Sequence, residues 1–144
     1  MNLAILITPL AAGLAAQLIK FLIKSNQQDR NIKNLLAYSG MPSGHSAMIT
    51  SLSASIWIYE GLASPLFALS AVLTVIVIRD ALGIRRYLGQ HGRTLNILVK
   101  DLADDDVLDK NYPRLLEKIG HTPIQVIAGS LLGIAFSVLG YYLF

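Results

Sequence analysis

The chain has 144 residues, a length suited to one domain, with 53% hydrophobic and only 15% charged residues. Soluble domains carry about 25% charged residues, so both an ordinary water-soluble enzyme and a disordered chain are excluded. Cysteine is absent, which removes disulfide frameworks, thiolate catalysis and Cys-ligated zinc, and the net charge of +3 comes from Lys and Arg gathered in two segments. That clustering is a membrane-topology pattern rather than a nucleic-acid-binding one.

Residues 3–19 form a seventeen-residue run without a charge, and Lys20 and Lys24 follow it. Positive charge comes after the apolar run and no small-x-small cleavage site follows it, so the run reads as a membrane span rather than a signal peptide. The loop 24–41 holds Lys24, Arg30 and Lys33, and residues 31–38 read as a turn or two of amphipathic helix. The second span is the weakest, with fourteen uncharged residues, 46–59, between His45 and Glu60. That is short for a bilayer crossing. Thr50, Ser51, Ser53 and Ser55 make it half polar, so it is expected to face other helices rather than lipid.

A turn without Lys or Arg, 60–65, leads into a third uncharged run, 61–78. The segment 85–120 then carries Arg85, Arg86, Arg93, Lys100, Lys110, Arg114 and Lys118. Within it, Leu95, Leu98, Val99 and Leu102 recur at helical spacing and predict a helix over 93–110. Tyr112-Pro113 should end that helix, and 113–119 reads as a short one capped by Gly120. Residues 122–144 are a further twenty-three without a charge, long enough to span with some tilt. The expected architecture is all-α: one membrane-embedded domain over 1–144, four transmembrane helices and short cytoplasmic helices. Positive loops stay cytoplasmic, so both basic segments face the cytoplasm of a cell-membrane protein and both termini lie outside.

The sharpest local signal is Met41-Pro42-Ser43-Gly44-His45-Ser46. Pro42 suits the first position of a helix. Ser43 and Gly44 then sit in its first turn, where unpaired N–H groups attract anions, and His45 stands close enough to donate a proton. Asp80 and the Arg85-Arg86 pair lie where the third span meets the cytoplasm. A carboxylate there needs a cation, Arg79, Arg85 or the histidines, and Arg suits bidentate phosphate binding. His121 opens the fourth span, with Gln125 four residues on and so on the same side of the helix. Lys20 reaches the same boundary from the first span. Each residue alone also fits a cap or a snorkelling anchor. Together Lys20, His45, Arg85, Arg86 and His121 make a cationic ring, with Ser43 and a helix N-terminus, suited to a phosphoryl group.

Two further patterns stand apart from the ring. Asp101, Asp104, Asp105, Asp106 and Asp109 crowd the second basic segment. They suit either Mg²⁺ or, more plainly, pairing with nearby Arg and Lys in a solvated stretch. Gly129, Gly133, Ser137 and Gly140 form a small-residue stripe on the fourth span. It suits a homodimer contact, or packing against the small face of the first span, Ala11 to Ala16.

Pro42-Ser43-Gly44-His45 resembles the central motif of the type 2 phosphatidic acid phosphatase and vanadium haloperoxidase superfamily. The strings Gly-Met-Pro-Ser-Gly-His-Ser-Ala (40–47), Asp-Ala-Leu-Gly-Ile-Arg-Arg (80–86) and Gly-His-Thr-Pro-Ile-Gln-Val (120–126) are similar to its small divergent membrane branch. The resemblance implies a membrane phosphatase acting on a lipid phosphomonoester or diphosphate without metal or cofactor. His121 is then the nucleophile and His45 the proton donor to the leaving alkoxide, while Asp80 on the third span is a candidate for the carboxylate charge that the family places four residues after the nucleophile. Lys20, Arg85, Arg86, Ser43, Gly44 and Gln125 contact substrate. Two departures stand out: thirty-five residues separate Arg86 from His121, and Gln125 occupies the usual place of an Asp. The latter also suits a non-catalytic binder of phospholipid headgroups or an accessory membrane protein.

Overall fold

The computed structural model describes residues 3–23, 40–103, 115–117 and 119–144. These form α1 (Ala4–Leu22), α2 (Gly44–Glu60), α3 (Pro65–Leu82), α4 (Ile84–Ala103) and α5 (Pro123–Leu143), and the protein is an all-α membrane bundle. The expected helix at 31–38 lies outside the described residues, as do Asp104, Asp105, Asp106 and Asp109.

Among the described residues, three helical stretches are long and apolar enough to cross a bilayer: Ala4–Leu22, Pro65–Asp101 (which contains α3) and Pro123–Leu143. The shorter, more polar α2 has 17 residues. At 1.5 Å per residue it is about 26 Å long, slightly less than a hydrocarbon core. Its neighbours compensate, because α1, α3 and α5 all pack against it. Ser46, Ala47, Ser51, Ala54, Ser55 and Ile56 are buried in those contacts.

Pairings along the helices give their directions. Going up α2, Ser43 and Ala47 meet Gly129 and Gly133, Ser51 and Ser55 meet Ser137, and Tyr59 donates to the Gly140 carbonyl. So α2 and α5 run parallel. Gln17 lies at Gly44 and Thr8 at Ser55, so α1 runs against α2. The His121 N–H donates to the Ala81 carbonyl at 3.0 Å, joining the end of α3 to the start of α5. The ends of α1 and α3 and the starts of α2 and α5 therefore gather at one end of the bundle.

The interior is built of small residues. Ala12, Ala16, Ala47, Ser43, Ser46, Ser51, Ser55 and Ser137 are fully buried, whereas Leu14, Leu18, Leu69, Val75, Ile127 and Leu131 are exposed. Lipid solvates the large apolar side chains as well as a protein core does, so helices associate through close contact and hydrogen bonds. A Cβ on Gly129 or Gly133 would collide with the Ser43 or Ala47 carbonyl, and one on Gly140 with the Thr8 methyl. Hydroxyls bridge the same seams: Thr8 with Ser55 at 2.7 Å, Ser55 with Ser137 at 3.0 Å and Ser51 with Ser137 at 2.9 Å. Thus the small-residue stripe of α5 is covered within the chain, mainly by α2 and at Gly140 by α1. Gly129, Gly133, Ser137 and Gly140 are all buried within the one chain.

The segment after α3 departs from the expected pattern. The spacing predicts a helix from residue 93, but α4 begins at Ile84, after a single break at Gly83. Residues 115–117 are not helical, although the sequence reads as a short helix there. The reason is Asn96. Its amide donates to the Leu115 carbonyl and to Glu117 Oε1, each at 2.9 Å, and its Oδ1 accepts from the Leu115 N–H at 2.9 Å. Gly89 and Gly92 clear the groove: a Cβ there would lie 2.6 Å from the Glu117 carbonyl or 2.7 Å from that of Leu116. Side-chain hydrogen bonds and a bare helix face thus hold residues 115–117 as a non-helical strap along α4.

Candidate functional site

The gathered helix ends bring the sequence-predicted residues to one region. Lys20 stands in the last turn of α1. Ser43 is the N-cap of α2, and Gly44 is its first helical residue, so Pro42 precedes the helix instead of opening it. Serine is among the best N-caps because its oxygen accepts from the free N–H groups of the first turn. The Ser43 hydroxyl accepts from the Ser46 N–H at 3.3 Å and from the Ser46 hydroxyl at 3.0 Å. Its own N–H donates to the Gln125 carbonyl at 3.0 Å. Ser43 is fully buried in these bonds, and they tie the start of α2 to α5. In both side-chain bonds the Ser43 hydroxyl is the acceptor, so it caps α2 beside Gly44 at the start of the helix.

Arg85 and Arg86 separate in the structure. Arg85 is half-buried and its Nε donates to Asp80 Oδ2. Arg86 is exposed, and what meets the site is its backbone. Gly120 has φ 89°, and a Cβ there would lie 2.7 Å from the Arg86 nitrogen. Only glycine fits both that left-handed conformation and that approach. Thirty-five residues apart in sequence, the Arg86 backbone and His121 are brought close by this approach and by the His121 N–H bond to the Ala81 carbonyl.

His121 is 3% exposed. Among the described residues neither of its ring nitrogens has a hydrogen-bond partner. Burial pushes its pKa down to about 4, helped by the positive charges of Lys20, His45 and Arg85. The imidazole is therefore neutral at pH 7, with a lone pair available. His45 is exposed, its ring edge-on to that of His121 with centroids 6.4 Å apart.

Gln125 does not orient the imidazole. Its Oε1 accepts from the Thr122 N–H at 2.9 Å while the Thr122 hydroxyl accepts from the Gln125 N–H, a complete capping box. Asp80 likewise pairs with Arg85 and not with His121. No carboxylate therefore stands behind His121 among the described residues.

Gln17 shares a face of the first span with Gly13, Lys20 and Lys24 by helical spacing, but the sequence gives it no role in the site. Its Oε1 is buried and without a partner among the described residues, and its Nε2 would be 3.2 Å from a Cβ on Gly44. Asn96, Gly89 and Gly92, which hold the strap leading to His121, share one face of α4 at spacings of three and four residues. The Asp cluster contributes only exposed Asp101 to the described residues, which hold no group of three or more His, Asp or Glu placed for a metal ion.

An uncharacterized membrane protein of Bacillus subtilis (strain 168), YuiD, is 37% identical over 151 residues, covering 96% of this chain and 94% of the relative. No solved structure matches. The family model described as "Divergent PAP2 family" matches residues 1–136, which takes in α1, α2, the Asp80–Arg86 junction and His121. A membrane bundle with these motifs, a match of that extent and a relative of nearly equal length agree, and the chain belongs to the divergent PAP2 family.

Proposed function

We infer that the protein is a metal-independent lipid phosphate phosphatase working through a phosphohistidine. One observation carries the reading: a buried, neutral His121 with both ring nitrogens unpartnered among the described residues, beside His45 and within the electrostatic reach of Lys20 and Arg85. Unpaired buried nitrogens are costly, and a polar substrate group would relieve that cost.

In the first step a His121 nitrogen attacks phosphorus. The bond from phosphorus to the lipid oxygen breaks, and His45 gives its proton to the leaving alkoxide. Attack needs about 3–3.5 Å and proton donation about 2.6–3.2 Å, a span in keeping with rings 6.4 Å apart. In the second step His45 takes a proton from water, the water oxygen bonds to phosphorus, the P–N bond breaks and phosphate leaves. Lys20, Arg85 and the Gly44 end of α2 stabilise the charge developing on the equatorial oxygens. The lipid tail stays in the bilayer, and the charge pattern of the loops supports a site at the cytoplasmic face of the cell membrane.

A second reading, a non-catalytic binder of phospholipid headgroups, is favoured by the absence of a carboxylate behind His121 among the described residues. One experiment separates the two. Purified protein in detergent with EDTA is given a panel of lipid phosphomonoesters and diphosphates, and phosphate release and acid-labile phosphoenzyme are measured. The phosphatase reading expects both, and expects His121→Ala to lose both while still binding lipid phosphate. Binding without release or phosphoenzyme from any substrate establishes the second reading.

A further inference from the structure

The apolar surface of α4 is accounted for neither by the bundle nor by the site. Ile84, Tyr87, Leu88, Leu95 and Leu98 recur at spacings of three, four or seven residues, with only His91 interrupting them on that stripe. All five are exposed, from 43% at Leu95 to 73% at Ile84. Arg86, Arg93 and Lys100 recur every seventh residue on the opposite side. The Gly89, Gly92 and Asn96 face lies between the two and is occupied by the strap at 115–117. The helix thus has three faces, one covered by protein, one basic and one apolar and open.

We propose that α4 is an interfacial helix whose apolar stripe is seated in the surface of the bilayer that α1, α2, α3 and α5 cross. Continuity decides the occupant. Leu69, Val72, Val75 and Ile76 of α3 are exposed and belong to the lipid-facing belt. The stripe starts at Ile84, two residues after α3 ends, with only Gly83 between. A strongly two-sided helix with aliphatic and Tyr side chains on one face and Arg and Lys on the other settles in the headgroup region, apolar side down. Basic side chains on its far side also suit anionic headgroups. Seated so, α4 fixes the height of the strap it carries and hence of His121 relative to the lipid phosphates. This assignment rests on the membrane fold alone and stands whether or not the protein is a phosphatase.

The cysteine-free chain permits a direct test. Leu95→Cys, Leu98→Cys, Ile97→Cys and Arg93→Cys are each labelled with an environment-sensitive fluorophore and reconstituted into vesicles containing brominated phospholipid. Ile97 is the informative control, an exposed apolar residue of the same helix off the stripe. Quenching by brominated lipid at 95 and 98 is expected to exceed that at 93 and 97 by about threefold or more, with iodide in the water phase giving the reverse order. Equal quenching at all four positions overturns the proposal. So does protection of 95 and 98 from both quenchers, which would mean that protein covers the stripe; disulfide cross-linking between the unlabelled Leu95→Cys chains would identify a second copy as that cover.

Discussion

Asp80 and Arg85 stand on either side of Gly83 and close an ion pair across the junction of α3 and α4. The bond engages Nε, while the terminal nitrogens of the guanidinium are the part of the fork that would grip a phosphoryl oxygen pair. The carboxylate therefore acts on Arg85 and not on His121. Asp80→Asn is expected to raise KM for a lipid phosphate about tenfold with a smaller effect on kcat, and Arg85→Lys to behave similarly because lysine lacks the fork. A large fall in kcat at unchanged KM for Asp80→Asn would instead mark Asp80 as an aid to the imidazole.

The pKa of His121 gives a pH prediction. Its value in the folded protein, about 4, lies below the ordinary 6.5, so the neutral ring persists down to lower pH and is lost only as pH falls through about 4. The same sign makes the fold lose stability as pH drops from 6.5 towards 4, because the unfolded chain binds the proton first. The nuclear magnetic resonance signal of selectively labelled His121, assigned with His121→Ala, should stay fixed between pH 5 and 8. A midpoint near 6.5 would contradict the burial described here.

Asn96 tests whether the strap positions the site. Asn96→Ala removes three hydrogen bonds to residues 115–117, and displacing a reacting group by a fraction of an ångström costs roughly 10–100-fold in kcat. KM should change little, since Lys20 and Arg85 are untouched. Asn96→Asp keeps the acceptor for the Leu115 N–H but sets a like charge against Glu117. Its activity relative to wild type should recover as pH falls and the introduced aspartate loses its charge. A merely destabilised protein would show no such pH-dependent recovery.

Gly133 tests the covered stripe. Gly133→Ala places a methyl against the Ala47 carbonyl and the Thr50 hydroxyl, and overpacking of this kind costs about 1–3 kcal/mol. The thermal unfolding midpoint in detergent should fall while any cross-linked dimer fraction in membranes stays constant. An unchanged midpoint with fewer dimers would move the stripe to an interface between chains.

Sidedness is checked with single cysteines. Asn26→Cys and Asn111→Cys should be protected from an impermeant thiol reagent in intact cells, and Ala63→Cys in the turn between α2 and α3 should be labelled. The opposite pattern would place the site on the outer face.

The sequence by itself determined the all-α membrane class and named the residues proposed to meet a phosphoryl group. These follow from uncharged runs matched to bilayer thickness and from side-chain types that chemistry requires, both of which are local. It also marked the short, polar second crossing as one that faces other helices, because an exposed Thr and Ser pattern is poorly suited to lipid. Only the tertiary structure decided the rest. It spent Ser43 and Gln125 on helix caps, gave Asp80 to Arg85, turned Arg86 outward and placed Gly120 on the Arg86 backbone. It also laid residues 115–117 along α4 and closed the glycine stripe against α2. Each of these is a competition for one hydrogen bond or one contact between segments distant in the chain. Periodicity says which face a residue occupies, but the partner that reaches that face first is settled only when the helices pack.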